Sequence, residues 1–244
     1  MKEIRITMGM PASVEVIGDD AAQGIDSVFA CFAEVDARFS PYRADSEVSL
    51  LNRDRQHTPS ADLAEILAIA ERTRVESGGF FNATRPDGCI DPTGIVKGWA
   101  IHRAALKLRA AGYENFCVDI GGDIACSGVN ADGNPWQIGI RNPFAHGEVI
   151  KTLAASTAGV ATSGTAARGD HIYNPYAPTA PIRDVVSITV VGPDVLTADR
   201  LATAAFAMGA DGVRFVEALP GCEAYQVGAD GIATMTSGFR ALCV

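Results

Sequence analysis

Phe116-Cys117-Val118-Asp119-Ile120-Gly121-Gly122-Asp123-Ile124-Ala125-Cys126-Ser127 is the stretch that decides the fold. An apolar strand running into glycines is how a dinucleotide-binding βαβ unit begins. Such a unit needs Gly-x-Gly-x-x-Gly and a helix directly after the turn. Here that spacing is absent, and Ile124-Ala125-Cys126 reads as another strand. The segment predicts a β-hairpin corner in which glycine lets backbone approach closely.

Outward from this hairpin the elements sort by region. Upstream, two short strands (Ile4–Met8 and Ser13–Ile17) precede a helix whose Ile25, Val28, Phe29, Phe32, Val35 and Phe39 share one face. The stretch Tyr42–Asn52 reads as a polar turn. A second helix runs from a Ser60 N-cap to about Glu76, and Gly78-Gly79 stops it. A third helix ends at Gly112. Downstream, Trp136–Ile140, Val149–Ala154 and Val185–Val191 read as strands. Helices at Ala198–Met208 and Gly212–Leu219, then strands at Ala224–Val227 and Ile232–Thr236, close the chain. Strand–helix alternation is poor and strands run together, which predicts α+β with a largely antiparallel sheet flanked by helices. There is no Pro/Ser-rich linker and no visible repeat, so residues 1–244 are expected to form a single domain.

Composition narrows the function classes. Apolar residues make up 48% of the 244 and charged ones 20%, as in a globular chain. The net charge of −9 argues against nucleic-acid binding, which needs basic patches. An anionic ligand would be held by a few placed cations, by backbone amides or by a metal. No run is long enough to cross a bilayer. Met1–Thr7 alternates like a strand rather than a signal peptide, so a cytoplasmic location without membrane insertion is expected. The six cysteines show no Cys-x-x-Cys pair and read as buried free thiols.

Three constellations carry chemistry. Asp91-Pro92-Thr93-Gly94-Ile95-Val96-Lys97-Gly98-Trp99-Ala100 places a carboxylate, a glycine and a lysine at intervals of three where a turn becomes a helix. It is not a phosphate loop of the Gly-x4-Gly-Lys type. Helix-start amides still attract anions, and a lysine in the first turn opposes the helix dipole, which suggests an anion for it to meet. A capped turn with a solvated lysine fits the same residues. In Thr197–Thr203, Asp199 and Thr203 stand four apart on one helix face behind a Thr197 cap. A carboxylate, a hydroxyl and nearby carbonyls suit Mg²⁺, and a dipole-favoured first-turn acid is the plainer alternative. Finally, Ala161–Thr165 reads as a tight turn with free amides, followed by Arg168 and His171, which can meet phosphate or move a proton.

The order of the blocks says more than any one of them. Met8-Gly9-Met10-Pro11, Phe39–Arg43, Gly79-Phe80-Phe81-Asn82, Asp91…Gly94-Ile95-Val96-Lys97-Gly98-Trp99-Ala100, Gly121-Gly122-Asp123, Ala161–Gly164, His171-Ile172 with Pro175, and Ala198-Asp199…Thr203 succeed one another. This series strongly resembles the FAD:protein FMN transferases, the ApbE-type flavin transferases, over nearly the whole chain.

The resemblance implies a T-fold-like architecture and an enzyme that uses Mg²⁺ and FAD. It implies transfer of FMN onto a Thr or Ser hydroxyl of an acceptor flavoprotein, with release of AMP. Asp91 and Lys97 then match flavin-nucleotide contacts, and Met8, Tyr42 and Tyr173 match positions near the cofactor. Gly94 matches a carbonyl metal ligand, and Asp199 and Thr203 match side-chain metal ligands. Arg168 would support the phosphates. His171 and Asp199 are the candidate proton acceptors, and a metal-bound Asp is a poor base, which favours His171. The chain departs from the family pattern at several points, among them Ala166 where an aromatic is common and no glycine after Pro175. Asn82 replaces an Asp, the link to Asp91 is short, and Asn174 precedes Pro175 where an Asp is usual. FAD hydrolysis to FMN and AMP, or FAD binding without catalysis, would use the same residues.

Overall fold

The structure is a computed structural model and describes residues 1–165 and 172–244. Its strands are β1 (Lys2–Thr7), β2 (Met10–Val16), β3 (Phe116–Ile120), β4 (Asp123–Ser127), β5 (Trp136–Arg141), β6 (Val149–Ala155), β7 (Thr157–Gly164), β8 (Val185–Gly192), β9 (Glu223–Gly228) and β10 (Ala233–Met235). The helices are α1 (Ala21–Phe39), α2 (Glu47–Arg53), α3 (Ala61–Glu76), α4 (Thr93–Ala110), α5 (Val195–Ala207) and α6 (Gly212–Glu217). Among the described residues, eight strands form one sheet in the order β1-β2-β3-β4-β7-β8-β9-β10, every neighbouring pair antiparallel. The expected α+β class with a largely antiparallel sheet and flanking helices is what the chain adopts.

A repeat invisible in the sequence emerges from this order. β1-β2, helices, then β3-β4 make one four-stranded unit; β7-β8, helices, then β9-β10 make a second. The units join edge to edge at β4 and β7, where Ile124 faces Val160. Helices cover one face: Phe116, Val118 and Ile120 share a core with α1 and α4, and Ala161, Ile188 and Val190 share one with α5. The hairpin β5–β6 covers the other face and packs on Cys126, Val160, Tyr225 and Val227. Trp136 Nε1–H donates to the Ser127 carbonyl at 2.9 Å and anchors it. The cavity described below lies against this junction.

Two segments differ from the sequence expectation. Glu47–Arg53 is a helix, capped by the Ser46 hydroxyl accepting Ser49 N–H, inside the predicted polar turn; seven residues give periodicity too little length to register. Ala161–Gly164 lies within β7 and pairs with β8 rather than forming a tight turn. Small residues there let the strand run beneath α5: a Cβ on Gly159 would stand 2.0 Å from the Asp194 carbonyl carbon.

Candidate active site

α4 is the helix that fixes the site. Its Ile95, Val96, Trp99, Ala100 and Ile101 are buried. Trp99 meets Phe39 of α1 edge-on at 5.7 Å, and the Arg103 guanidinium lies over its other ring surface at 4.6 Å. Burying such side chains is worth about 1.5–3 kcal/mol each, so the helix has little freedom to shift. Its start is held by Asp91, whose Oδ1 accepts Thr93 N–H at 3.2 Å.

The face α4 turns toward α5 is made of glycine. A Cβ on Gly94 would stand 3.4 Å from Thr203 Cγ2, and one on Gly98 would stand 2.8 Å from Asp199 Cβ. Two glycines four apart thus meet two oxygen-bearing side chains four apart on an antiparallel helix. Side chains at this spacing stack on one helix face, so the Asp91–Ala100 motif and the Asp199/Thr203 pair converge in space. Gly98 N–H donates to Asp199 Oδ2 at 2.8 Å. α5 begins at Val195 under an Asp194 cap, so Asp199 lies past the first turn rather than within it.

Lys97 leaves α4 beside these residues and meets two carboxylates. Its Nζ pairs closely with Asp123 Oδ2 and lies 3.8 Å from Asp199 Oδ1. Both acids are buried, Asp123 completely. Burial holds the Asp199 carboxyl well above its usual range; Lys97 works against this and the Asp123 carboxylate adds to it. Asp123 follows Gly121-Gly122 in the sequence, where no role is evident for it. The signal for it is an acid on the helix-facing register of β4, between Ile120 and Ala125, where the pattern calls for an apolar residue.

Lys97 and Asp199 stand at the wall of a cavity of about 1030 Å³, which Asp91, Gly94, Thr203 and Tyr173 also line. Six of the expected site residues therefore converge. Burial pushes the Tyr173 phenol up, near Arg85 and Asp91. Arg85 Nη1 lies 3.8 Å from Asp91 Oδ2, adding a cation that the sequence reading omitted. The tip of β5–β6, with Arg141, Phe144 and His146, closes the opposite side. Met8 and Tyr42 do not join them. Met8 is a turn residue with φ 50° that, with Gly9 at φ 72°, links β1 to β2, and Met10 lines the cavity instead. Tyr42 is 91% exposed and also off the cavity wall. Arg168 and His171 lie outside the described residues.

The donor set suits a hard divalent cation. Two buried carboxylates face one ammonium, and Asp123 Oδ2 takes no hydrogen bond beyond its ion pair with Lys97. Among the described residues no group of three or more His, Cys, Asp or Glu could hold a metal. Mg²⁺ needs no such group: it takes one or two carboxylates and keeps water or substrate oxygens for the rest.

A tandem antiparallel sheet thus carries a large cavity and a split carboxylate–ammonium centre near its joint. The chain belongs to the ApbE family, whose model matches residues 8–87 and 84–226. The two matches meet at Thr84–Asp87, inside the shortened link. A curated FAD:protein FMN transferase of Haemophilus influenzae is 28% identical over 275 aligned positions, covering 84% of this chain and 80% of that protein. That alignment is longer than this 244-residue chain, so the relative carries inserted residues. The FAD:protein FMN transferase of Vibrio cholerae is also 28% identical, covering 72% of this chain and 70% of its own length. The solved flavin transferase ApbE from Vibrio cholerae superposes with a TM-score of 0.86 at 25% identity, over 99% of this chain and 98% of that one.

Proposed function

We propose that this chain is a Mg²⁺-dependent FAD:protein FMN transferase acting on a Thr or Ser hydroxyl of an acceptor flavoprotein. The observation that carries this is the meeting of Gly94, Lys97, Asp199 and Thr203 on one wall of a cavity large enough for a dinucleotide. The family and the names of the relatives support the same reading.

In this reading the acceptor oxygen attacks the phosphorus on the FMN side of the pyrophosphate. The bond from that phosphorus to the bridging oxygen breaks, and the oxygen leaves with AMP. The hydroxyl proton goes to a base, for which the resemblance offers His171. Asp199 is the poorer base, because one of its oxygens already accepts Gly98 N–H and the other faces Lys97. Asp199, Thr203 and the Gly94 carbonyl would hold Mg²⁺. The chemistry it supplies when bound is charge neutralisation on the pyrophosphate oxygens and the departing AMP. Lys97 and Arg85 would steady the phosphates and the flavin end. Six free cysteines suit a reducing compartment such as the cytoplasm. No described helix is long and apolar enough to cross a membrane.

The test is incubation with FAD, Mg²⁺ and a threonine-bearing acceptor, read by intact-protein mass spectrometry. The acceptor gains one FMN unit and AMP accumulates in equal amount. Free FMN and AMP with an unmodified, proven acceptor would make the chain a hydrolase, and FAD binding without turnover would make it a carrier.

A further inference from the structure

We propose that Asp123 is a positioning residue for this site, holding the Lys97 ammonium away from Asp199 and so keeping that carboxylate open to the metal. This rests on the transferase reading for its kinetic arm only.

Asp123 touches no substrate space. It is fully buried and sits behind the cavity wall rather than on it. A buried carboxylate is costly unless its oxygens are served, and what serves these two is specific. The ladder joining the two sheet units reaches Ile124 opposite Val160. Further along β7, Thr162 N–H donates to Asp123 Oδ1 at 3.2 Å, so a side chain stands where the next ladder bond would be. Thr162 is itself fixed, its hydroxyl 2.8 Å from that of Thr189. One oxygen of Asp123 is thus pinned to the second unit, and the other, Oδ2, is left to face Lys97 from the first.

The consequence lies in the distances. Among the described residues Lys97 meets two carboxylates, and it stands much nearer to Asp123 than to Asp199. With the Asp123 charge gone, Asp199 is the carboxylate that remains beside Lys97 among the described residues, and the ammonium closes on it. A cation seated there competes with Mg²⁺ for the same oxygen and no longer points where a phosphate would lie.

Asp123→Asn tests this, since the amide oxygen can still accept Thr162 N–H while the charge is lost. We expect kcat to fall on the order of 10²-fold, as for a misplaced catalytic group. The apparent Mg²⁺ requirement should rise about tenfold or more, while the KM for FAD stays within about threefold. In a Lys97→Met background the same substitution should have no further effect on the Mg²⁺ requirement. Equal effects in both backgrounds overturn the proposal, as does an Asp123→Asn enzyme with wild-type kcat and Mg²⁺ dependence. The crystal structure of Asp123→Asn gives a readout free of activity: Lys97 Nζ should lie in contact with Asp199, and a Lys97 left where it is now sinks the idea. If the wild type transfers no FMN, the functional reading fails while the structural arm still decides the role of Asp123. Should Asp123→Asn not fold, Lys97→Met/Asp123→Asn must fold; if it does not, Asp123 merely supports the sheet joint and the proposal fails.

Discussion

Gly98 and Asp199 are in contact across the α4–α5 interface. The amide of one donates to the carboxylate of the other at 2.8 Å, and no room is left for a side chain between them. The hydrogen bond and the close approach depend on each other, because only a residue without a Cβ lets the acid come this near.

Gly98→Ala is therefore expected to push α5 away from α4. The added Cβ would stand 2.9 Å from Asp199 Oδ2 and 3.2 Å from the Leu196 Cα, and backbone cannot give way as a flexible side chain can. Overpacking of this kind costs about 1–3 kcal/mol. Urea denaturation followed by circular dichroism should show the loss, together with a fall in FMN transfer. A variant of wild-type stability would mean the helices slide apart freely, contrary to the packing around Trp99.

Asp199→Asn separates stability from function. Burial disfavours the charged form of this carboxyl, so the neutral amide removes a destabilising charge while still accepting Gly98 N–H. The expected protein melts no lower than wild type but loses Mg²⁺-dependent turnover, on the order of 10²-fold or more, the usual scale for removing one electrostatic contact to a transition state. Turnover titrated against Mg²⁺ checks it. Unchanged activity and metal dependence would remove Asp199 from the site.

A cross-strand pair of thiols supplies a pH test. Burial pushes the Cys117 thiol up to about 12, and Cys126, its direct cross-strand partner, is raised for the same reason. An acid whose pKa is raised on folding binds its proton more tightly in the native state. Its contribution is present below the unfolded thiol range and is lost as pH rises toward the folded value. The urea midpoint should fall on going from about pH 8 to about pH 10, less steeply in Cys117→Ala. Iodoacetamide on the native chain, read by peptide mass spectrometry, should label the half-buried Cys89 before the buried Cys126.

What the sequence made legible was local and periodic. The Gly121-Gly122 hairpin ruled out a dinucleotide fold, because a strand, not a helix, follows it. The spacing of Asp91, Gly94 and Lys97 announced one local surface, and that of Asp199 and Thr203 one helix face. Nothing in either said that the two faces meet, since that depends on the joining of β4 to β7 far from both. The tandem repeat was hidden for a similar reason: topology repeats while side chains do not. Asp123 was readable only as an acid out of register, and its meaning required knowing that Thr162 and Lys97 lie on either side. Met8 was taken for a cofactor contact through the resemblance, yet the two-residue turn places its neighbour Met10 against the cavity.

Tyr176 ties two cavity walls together and offers a final test of how that cavity is shaped. Its hydroxyl donates to the Gly78 carbonyl, and its ring meets Phe80 at 5.1 Å and 64°. Phe80 and Phe81 line one wall, Tyr173 and Pro175 another. The ring is 68% exposed, so its loss should barely move the melting temperature. Walls that contact a substrate equally before and during reaction contribute uniform binding, which appears in KM and not in kcat. Tyr176→Phe keeps the ring contact and removes one hydrogen bond, worth about 0.5–1.5 kcal/mol, so the KM for FAD should rise by about threefold. Tyr176→Ala removes both contacts and should raise it further, with kcat nearly constant. Steady-state kinetics at saturating acceptor decides the matter: a fall in kcat with constant KM would place Tyr176 among the groups that act on the transition state.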